Sequence, residues 1–414
     1  MRVLVVGSGG REHALAWRLA QEVDVHAAPG NPGMAEVAAC HAVTVDDIAG
    51  QVRLAKDLGI DLVVVGPEAP LAAGLADQLR DHGISTFGPG QDGARLESSK
   101  AFSKELMAGA GVPTAAHQTF DDPSAAKAYA AHRFAEGTPV VIKADGLAAG
   151  KGVTVCSTVD EAIEAIEDAM EARSFGASGE RIVIEDRLVG REFSLIAIVS
   201  GTSFVSLPVA QDYKRALTGD RGPNTGGMGS FSPCGWLSDD AIRKAEERVI
   251  APIMSQLAAS GIDYRGALFA GLMLVNGEPM CIEFNVRMGD PETQSVLPRL
   301  EGSFVELLDA AAGGGTLPPV SVSDRSTVTV VLASGGYPGE FPKGLPIQIG
   351  DVPSHVHLFH AGTALRDGQL VTSGGRVLGV TAVEATIEDA RAAAYQAAEC
   401  IAFEGKFYRT DIAA

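Results

Sequence analysis

The sequence has few cysteines, and they are scattered. There are five, an odd number, and no two of them form a Cys-x-x-Cys pair. This spacing gives no sign of a zinc site or of a disulfide framework. The positions are Cys40, Cys156, Cys234, Cys281 and Cys400. A reducing compartment is the simplest expectation for such a chain.

Long apolar runs and an excess of positive charge are also missing. The first apolar run, Val3–Val6, is too short for a signal peptide or a membrane span, and no other run approaches about 18 uninterrupted apolar residues. Lys and Arg number 33 against 52 Asp and Glu, which gives a formal net charge of −19. This balance disfavours general binding to nucleic acids or to anionic membranes. We therefore expect a cytoplasmic protein that binds neither.

Glycine, by contrast, is abundant. The 414 residues include 49 Gly and 21 Pro, while 46% are hydrophobic and 21% are charged. This composition is typical of a globular protein with many turns. The chain is too long for one hydrophobic core, so two to four domains are expected.

Strand-like and helix-like segments alternate over the first hundred residues. The predicted strands are Val3–Val6, Val23–Ala27, Leu62–Val65 and Ile84–Phe87, and the predicted helices are Glu12–Gln21 and Leu71–His82. This alternation predicts a Rossmann-like parallel sheet over residues 1–100. Ligands of such sheets bind beyond the carboxyl ends of the strands. Here those ends carry Gly7–Arg11, Pro29–Gly33, Gly66–Leu71 and Gly88–Gly90.

From about Ser99 the order becomes mixed. The predicted elements are helices Lys100–Ala110, Ser124–Glu136, Val159–Arg173 and Asp239–Ala259, with strands Val140–Lys143, Val153–Cys156, Ile182–Glu185, Glu192–Val199, Ala267–Val275 and Met280–Asn285. A Gly/Pro-rich linker, Gly313–Pro319, precedes a strand-rich region that ends with a helix near Ile387–Ile401. The chain therefore combines α/β and α+β parts, with domains expected at 1–100, 101–315 and 320–414.

The loop Gly7–Glu12 follows a strand and opens a helix. Glycines there let phosphate oxygens approach backbone N–H groups at a helix N-terminus. A dinucleotide site is less favoured, because Glu12 replaces the third glycine of G-x-G-x-x-G and the second strand ends in Ala28-Pro29 rather than in an acidic residue. A tight turn without a ligand is the remaining alternative.

Two lysines and a glycine-rich loop form a second candidate site. Lys104 lies on a predicted helix and Lys143 ends the apolar strand Val140–Lys143. The next segment, Ala144–Val153, contains Gly146, Gly150, Lys151 and Gly152 between two strands. It differs from a P-loop, because Gly152 follows Lys151 and the loop leads to a strand. It can form a flap over a polyphosphate, or a flexible hairpin with surface lysines.

A third candidate lies between the strands at Ile182–Glu185 and Glu192–Val199. The segment from Glu185 to Leu188, followed by Glu192, can present backbone groups to an adenine edge and a carboxylate to ribose hydroxyls. Taken alone it is an ordinary turn.

Glu283 and Asn285 stand two residues apart on one predicted strand, so both side chains project to the same face. A carboxylate and an amide oxygen suit a hard cation such as Mg²⁺ that also binds nucleotide phosphates. Arg287, Asp290 and Glu292 follow closely. A salt-bridged strand end explains the same residues equally well.

The polar, glycine-rich segment Ala210–Pro233 is long for a structureless loop, which suggests a function. It carries Asp212, Lys214 and the pair Gly226-Gly227, the groups that a polar substrate's pocket requires. A disordered linker is the alternative, and the interspersed aromatic residues argue against it.

Together these motifs resemble the ATP-grasp superfamily and, within it, the phosphoribosylamine–glycine ligase family. The matching segments, in order, are GSGGREHA, GPEAPL, IKADGLAAGKGV, QDYKRALTGDRGPNTGGMGSFSP and EFNVRMGDPETQSVLPRL. The chain departs from the family at Tyr213, Val286 and Met288, where His, Cys and Phe are usual. It also lacks the carboxylate that many superfamily members carry on the strand before the metal strand, here Ala267–Val275.

The resemblance implies a two-lobed ATP-binding core at 101–315, with a mobile flap lobe at about 115–190, and a C-terminal α+β domain at 320–414. It implies that glycine is joined to 5-phosphoribosylamine at the expense of ATP in purine biosynthesis, through glycyl phosphate. ADP, phosphate and glycinamide ribonucleotide are the products. It implies Mg²⁺ or Mn²⁺ as the metal and only small molecules as partners. A monomer is the expected state, and transient contacts with neighbouring pathway enzymes stay open.

The resemblance also assigns roles. The implied ATP-binding residues are Lys104, Lys143, Gly146, Gly150, Lys151, Gly152, Glu185, Leu188 and Glu192. The implied metal ligands are Glu283 and Asn285. The implied catalytic residues are Arg287, Lys143, Asp212 and Asp290. The implied substrate-binding residues are Gly9, Gly10, Arg11, Asp212, Lys214, Gly226, Gly227 and Asp290. In this scheme Gly9–Arg11 seats the 5′-phosphate of phosphoribosylamine.

Three other functions compete with this interpretation. An NAD(P)-dependent oxidoreductase explains only the N-terminal loop. A nucleotide sensor without activity would not need its phosphate-binding and metal-binding groups to be intact. The chain keeps them all: Lys104, Lys143, Glu283, Asn285 and Arg287. A related ligase that uses another acid or amine is the serious competitor, and only the QDYKR and RMGDPETQ segments speak against it.

Overall fold

The structure is a computed structural model that describes residues 1–147 and 152–414. Gly150 and Lys151, two of the predicted ATP-binding residues, lie outside the described residues. Within the described ranges, no helix combines the length and the apolar character needed to cross a bilayer.

The N-terminal part is built around a five-stranded parallel sheet with strand order β3-β2-β1-β4-β5. Its elements are β1 (Arg2–Gly7), α1 (Gly10–Leu19), β2 (Asp24–Pro29), β3 (Ala39–Cys40), α2 (Ile48–Leu58), β4 (Leu62–Val65), α3 (Glu68–Ala72), α4 (Leu75–Asp81), β5 (Ser85–Phe87) and α5 (Gln91–Ser98). Apart from the exposed Arg2 that begins β1, the central strands β1 and β4 are apolar and buried on both faces, as parallel strands covered by helices must be. The predicted parallel sheet is therefore confirmed.

One predicted helix of this part was wrong. The apolar run Leu71–His82 suggested a single helix, whereas the chain forms α3 and α4 with a break between them. Gly74 sits at the break with φ +82, a conformation that glycine adopts without steric strain. Periodicity alone did not reveal the break, because both short helices present apolar residues to the same core.

The next part contains a four-stranded antiparallel sheet, ordered β6-β9-β7-β8, in which the residues predicted to form the flap connect β7 to β8. Its elements are α6 (Lys100–Ala110), β6 (His117–Phe120), α7 (Pro123–Ala135), β7 (Val140–Ala144), β8 (Val153–Val155), α8 (Val159–Ile166) and β9 (Ile182–Asp186). Helix α8 ends sooner than the predicted Val159–Arg173, and a π-helical turn, Glu167–Glu171, continues it. The lobe has its own small apolar core between the sheet and its helices.

A second antiparallel sheet, ordered β11-β10-β16-β17, faces the flap lobe. The elements from residue 191 onward are β10 (Arg191–Ser200), β11 (Ser203–Ser206), β12 (Gln211–Asp212), β13 (Arg215–Leu217), β14 (Arg221–Asn224), β15 (Gly229–Ser232), α9 (Asp239–Ala245), α10 (Ala251–Ala259), β16 (Arg265–Val275) and β17 (Glu278–Asn285). Asn276 and Gly277 both have positive φ in the hairpin turn between β16 and β17. A π-helical turn, Glu246–Ile250, joins α9 to α10 within the predicted helix Asp239–Ala259.

The segment Ala210–Pro233 is ordered into short strands. Strands β13 and β14 form a hairpin of their own, while β12 and β15 join the sheet of the C-terminal part. Gly229 of β15, for example, pairs with Val330. A disordered linker is therefore ruled out.

The C-terminal part completes a five-stranded sheet ordered β12-β15-β20-β25-β22. The remaining elements are α11 (Glu292–Val296), β18 (Leu300–Glu301), α12 (Phe304–Gly313), β19 (Ser321–Val322), β20 (Ser326–Ala333), β21 (Gln348–Ile349), β22 (Val356–His360), β23 (Thr363–Arg366), β24 (Gln369–Thr372), β25 (Arg376–Glu384), α13 (Ile387–Glu399) and β26 (Ile401–Ala402). This part is tied to the N-terminal sheet, since the amide of His360 donates to His13 Nδ1 at 2.8 Å and Asn31 Nδ2 donates to the His360 carbonyl at 2.8 Å.

Candidate functional site

Lys104 and Lys143 meet at one carboxylate. The Lys104 Nζ lies 3.0 Å from Glu185 Oε2, and the Lys143 Nζ lies 2.8 Å from Glu185 Oε1. All three side chains are buried, although they come from α6, β7 and β9. The family resemblance assigned all three residues to ATP binding, and it did not predict this direct ion-paired cluster.

The electrostatics of the cluster follow from its burial. Burial alone would raise the pKa of Glu185, but the charges of Lys143 and Lys104 hold the pKa below its ordinary value. Burial also lowers the pKa of Lys104, an effect that Glu185 partly offsets. The cluster combines two lysines with one carboxylate, an excess of one positive formal charge that can attract a phosphate chain.

We expect the double variant Lys104→Met/Lys143→Met to be destabilised by about 3–5 kcal/mol, because it leaves Glu185 buried without a partner. Either single variant should lose much less, since one lysine still pairs with the carboxylate. Denaturant unfolding at neutral pH measures the difference. Since the folded pKa of Glu185 is lowered, its pairing stabilises the fold above the ordinary carboxyl pKa, and this stabilisation is lost in acid. The difference in free energy of unfolding between the wild type and the double variant should therefore narrow below about pH 4.

The triple variant that adds Glu185→Gln is the control, because it removes the unpaired charge. It should recover most of the lost free energy of unfolding. A double variant as stable as either single variant would show that Glu185 is solvated or protonated in the folded protein.

The base of the flap is fixed by its own contacts. The amide of Ala144 donates to the Gly152 carbonyl at 2.8 Å, and Gly146 has φ +155 and lies against Ser178. Asp145 Oδ1 accepts from the Ser99 hydroxyl at 3.0 Å and from the Ala101 amide at 3.1 Å. The flap base is thus attached to the first turn of α6, the helix that carries Lys104. Leu188, half-buried, lies on the turn between β9 and β10.

Glu283 and Asn285 are both half-buried on β17, with the buried Phe284 between them. Burial would raise the pKa of Glu283, but nearby Lys214 and Lys143 are among the cations that hold it below its ordinary value. Glu283 is therefore an ionised carboxylate beside a lysine cluster.

These two oxygens fit a divalent cation that completes its shell with phosphate oxygens. Within residues 1–147 and 152–414, no group of three or more His, Cys, Asp or Glu side chains is arranged to hold a metal. A cation at Glu283 and Asn285 would therefore need further oxygen ligands from a nucleotide or from water.

Arg287 lies two residues beyond Asn285 and is anchored by the N-terminal part. Its Nη2 is 2.8 Å from Glu97 Oε1, and its Nε is 3.4 Å from Glu68 Oε2. Burial would lower the pKa of Arg287, but the carboxylates of Glu97 and Glu68 raise it above its ordinary value. The Glu97 carboxylate also accepts from the Val286 amide at 2.8 Å. Sequence reasoning missed Glu97, which stands in an unremarkable helix, and reached Glu68 only as part of Gly66–Leu71.

The N-terminal loop is filled by a side chain of its own. The Gly9 amide donates to Glu12 Oε2 at 2.6 Å, and Arg11 Nε lies 2.5 Å from Glu12 Oε1. A Cβ added at Gly7 or Gly66 would come within 2.4 Å or 2.2 Å of Glu12. The Glu12 carboxylate therefore occupies the crevice at the end of β1 and β4, and this contradicts a dinucleotide site of the G-x-G-x-x-G kind.

A cleft beside this loop brings together further predicted substrate residues. Arg376 Nη2 lies 3.0 Å from Asp290 Oδ2, and Arg376 Nη1 donates to the Gly226 carbonyl at 2.7 Å. A Cβ at Gly9 would lie 3.8 Å from Asp290 Oδ2, and one at Gly227 would lie 2.4 Å from Pro291 Cδ. Residues from the N-terminal loop, from 226–227 and from 290 thus share one cleft.

Sequence reasoning missed the contribution of the C-terminal part to this cleft. Arg376 begins β25, and the hydroxyl of Tyr337 accepts from the Gly226 amide at 3.0 Å. Gln294 is buried and donates to Asp290 Oδ1 at 2.8 Å, and a Cβ at Gly10 would lie 2.7 Å from its Nε2. The only available signal was that Arg376 follows the glycine pair Gly374-Gly375.

Asp212 lies in a crowded acidic environment. Burial raises its pKa to about 7, and the carboxylates of Glu292 and Glu192 add to this effect while Lys214 opposes it. Lys214 Nζ is 3.1 Å from Glu192 Oε2, and Glu292 Oε1 accepts from the Ser194 hydroxyl at 3.0 Å. The predicted ribose residue Glu192 and the predicted substrate residue Lys214 are therefore ion-paired next to Asp212, a group able to exchange a proton near neutral pH.

Family models match almost all of the chain. The N, ATP-grasp (A) and C domains of phosphoribosylglycinamide synthetase match residues 1–97, 98–293 and 327–414. A protein of Rhizobium meliloti named phosphoribosylamine–glycine ligase is 47% identical over 418 residues, covering 100% of this chain and 98% of the relative. A trifunctional purine biosynthetic protein of Gallus gallus is 45% identical over 99% of this chain and 42% of its own length.

Solved structures agree with this match. The crystal structure of the phosphoribosylamine–glycine ligase from Thermotoga maritima has a TM-score of 0.88 and 38% identity, with 100% of both chains covered. The biotin carboxylase domain of 2-oxoglutarate carboxylase from Hydrogenobacter thermophilus has a TM-score of 0.75 at 18% identity, covering 98% of this chain and 91% of its own. The latter likeness concerns the fold alone.

Proposed function

The chain belongs to the phosphoribosylglycinamide synthetase family, and from this premise we propose how its residues carry out the reaction. It is an ATP-dependent ligase of purine biosynthesis that joins glycine to 5-phosphoribosylamine.

The first step is phosphoryl transfer. The glycine carboxylate attacks the γ-phosphorus of ATP, a C–O–P linkage forms, and the bond from the γ-phosphorus to the β–γ bridging oxygen breaks to release ADP. Glycyl phosphate results, in which phosphate replaces oxide as the leaving group. Such a transfer depends on alignment and charge neutralisation more than on covalent help from protein.

Lys104 and Lys143 bind the α- and β-phosphates in this scheme, and Arg287 stabilises the transferring phosphoryl group. Glu185 to Leu188 meets adenine, and Glu192 meets the ribose. Gly146 to Gly152, including Gly150 and Lys151, covers the phosphate chain and excludes water, which would hydrolyse an acyl phosphate. The Lys104–Glu185–Lys143 cluster supports this by supplying the two lysines as one preassembled group.

Glu283 and Asn285 bind Mg²⁺ or Mn²⁺ together with ATP. A divalent cation there supplies charge neutralisation and orientation to the phosphates. The low pKa of Glu283 supports this role, because the ligand must be ionised.

In the second step the amine nitrogen of phosphoribosylamine attacks the acyl carbon. An amide bond forms, the bond to phosphate breaks, and the nitrogen loses a proton. Asp212 accepts that proton, which suits a group whose pKa is about 7. Asp290, Lys214, Gly226 and Gly227 bind glycine and the amine, while Gly9, Gly10 and Arg11 seat the 5′-phosphate; Arg376 closes the same cleft.

One observation carries this proposal. Lys143 Nζ donates to the carbonyl of Ile282 at 3.2 Å, immediately before the metal residue Glu283. A phosphate lysine of the flap lobe and a metal carboxylate of the opposite lobe are therefore neighbours, as an enzyme that holds ATP between two lobes requires.

The test is ADP release with ATP, Mg²⁺, glycine and phosphoribosylamine generated in situ, with each component omitted in turn. We expect release to require all four, with glycinamide ribonucleotide detected by mass. Release that ignores glycine or phosphoribosylamine would point to another acid–amine pair. Folded protein that binds ATP without releasing ADP would contradict the ligase function altogether.

We also propose a cytoplasmic location, a monomer with small-molecule partners, and functional domains at 1–100, 101–315 and 320–414. All five cysteines are free, which suits a reducing compartment. Equilibrium sedimentation would test the monomer.

A further inference from the structure

Arg409 is a buried arginine that connects its own segment of the chain to the β13–β14 hairpin. The side chain of Arg409 has no exposed surface. Its Nε and Nη2 lie 2.8 Å and 2.6 Å from the two carboxylate oxygens of Asp411, and its Nη1 lies 2.8 Å from Asp220 Oδ1. The same Nη1 donates to the Arg215 carbonyl at 3.1 Å. Buried charges of this kind are retained where they are fully paired.

Residues 409–413, which we call the tail segment, make further contacts with the β13–β14 hairpin through a side chain and through the backbone. The Gly219 amide donates to Asp411 Oδ2 at 2.9 Å, and the Thr410 amide donates to Thr218 Oγ1 at 3.2 Å. The tail segment therefore binds the tip of the β13–β14 hairpin, and we call the contacts of the tail segment with this hairpin and with Tyr213 the grip.

Tyr213 makes two further contacts with the tail segment. The Ala413 amide donates to the Tyr213 hydroxyl at 2.9 Å, and the Arg409 guanidinium lies 4.7 Å from the centre of the Tyr213 ring. A cation at this distance from an aromatic face is attracted to it. Tyr213 is thus held at both its ring and its hydroxyl by the tail segment.

The position of Tyr213 connects this grip to the candidate site. It stands between Asp212 and Lys214, and neighbouring side chains of an extended segment point to opposite sides. Its amide donates to the Gly229 carbonyl at 3.0 Å, and its carbonyl accepts from the Met228 amide at 2.8 Å. Contacts between the Tyr213 side chain and the tail segment therefore fix the backbone on either side of Tyr213. That backbone carries Asp212 and Lys214, which lie near Glu192 and Glu292.

We propose that Tyr213 and Arg409 are positioning residues that act through the tail segment to hold Asp212 and Lys214 in place for glycine and phosphoribosylamine. This inference rests on the proposed roles of Asp212 and Lys214. Lys104, Lys143 and Glu185 do not touch the tail segment among the contacts of the described residues. The grip should therefore affect these two substrates more than ATP.

The test is steady-state kinetics with each substrate varied in turn. Tyr213→Phe removes only the hydroxyl that accepts from Ala413, and we expect KM for glycine or phosphoribosylamine to rise about 3- to 10-fold. Arg409→Met should raise it further, and Arg409→Lys should recover part of the loss. KM for ATP should change by less than about twofold. Because both residues serve one grip, Tyr213→Phe should add little in the Arg409→Met background.

Tyr408→Phe is the matched control. It is the same substitution at the residue that precedes Arg409. The Tyr408 hydroxyl makes no hydrogen bond within the described part of the chain, so this variant should leave all three KM values unchanged. Asp212→Asn distinguishes the positioning role of Tyr213 and Arg409 from the proposed role of Asp212 in the reaction. If it abolishes turnover while Tyr213→Phe and Arg409→Met leave KM for glycine and phosphoribosylamine unchanged, the grip is refuted and the proposed function stands. If folded Asp212→Asn turns over normally, the proposed role of Asp212 itself fails.

The grip is also refuted if the Tyr213 and Arg409 variants raise all three KM values equally, or lose activity only in proportion to the folded fraction measured by thermal unfolding. Either result would make these residues general supports of the fold rather than positioning residues.

Discussion

Glu283→Gln is expected to lower kcat about a thousandfold while the protein stays folded. The substitution keeps the size of the side chain and removes the negative charge proposed to bind the divalent cation, which supplies several kcal/mol of transition-state stabilisation in phosphoryl transfer. Cations that include Lys214 and Lys143 hold the pKa of Glu283 below its ordinary value against the effect of burial, so the neutral amide also loses favourable charge interactions. ADP release measured over a range of Mg²⁺ and Mn²⁺ concentrations would show the loss and a higher metal requirement.

The matched control is Glu278→Gln on the same strand. Glu278 Oε1 pairs with Lys244 at 2.9 Å on the surface, away from the cleft. This variant should keep wild-type turnover, because exposed pairs contribute little. Near wild-type activity in folded Glu283→Gln would remove the metal assignment.

Arg287→Lys is expected to cost about 10³-fold in kcat or more, the effect of losing an arginine that stabilises a transferring phosphoryl group. Lysine keeps the charge but lacks the planar fork that reaches several oxygens at once. Glu97 and Glu68 hold the guanidinium from behind, at 2.8 Å and 3.4 Å, so its orientation depends on that fork. Single-turnover formation of ADP, with saturating substrates, isolates this step from binding.

Arg299→Lys provides the comparison. Arg299 is also buried, but its Nε and Nη1 donate to the Arg325 carbonyl and the Ser232 hydroxyl, both at 2.7 Å, outside the cleft. We expect it to lower the free energy of unfolding without a specific loss of kcat in the folded protein. Equal losses of kcat in the two variants would show that Arg287 acts only through stability.

Much of the fold was predictable because its strongest signals are local. Strand β1 is Val-Leu-Val-Val between a charged residue and a glycine, and burial on both faces demands such a run. Helix α6 was predicted at its observed bounds, since Ser99 caps its N-terminus and Gly111 ends it. The break at Gly74 was missed because both short helices bury apolar residues in the same core, and the end of α8 was missed because a π-helical turn continues it.

The candidate site was predictable where a charge interrupts an apolar strand. Lys143 and Glu283 stand at or near the end of such strands, and a charge there needs a partner or a ligand. Glu97 and Arg376 gave no comparable signal. Their importance comes from tertiary contacts with Arg287 and Asp290, over sequence separations that no local pattern records.

The five-stranded sheet formed by β12, β15, β20, β25 and β22 has a consequence for recombination between relatives. A chimaera joined near residue 320 would combine β20 from one parent with β15 from another, across a buried seam of side-chain hydroxyls: Ser230 and Ser295 are 2.7 Å apart, and Ser295 and Thr329 are 2.8 Å apart. Segment 211–232 lies before such a crossover in the sequence, yet its strands pack in the same sheet as strands that lie after it. Parents that differ along that seam would have to exchange both stretches together, so the chain's natural crossover points are not its domain boundaries.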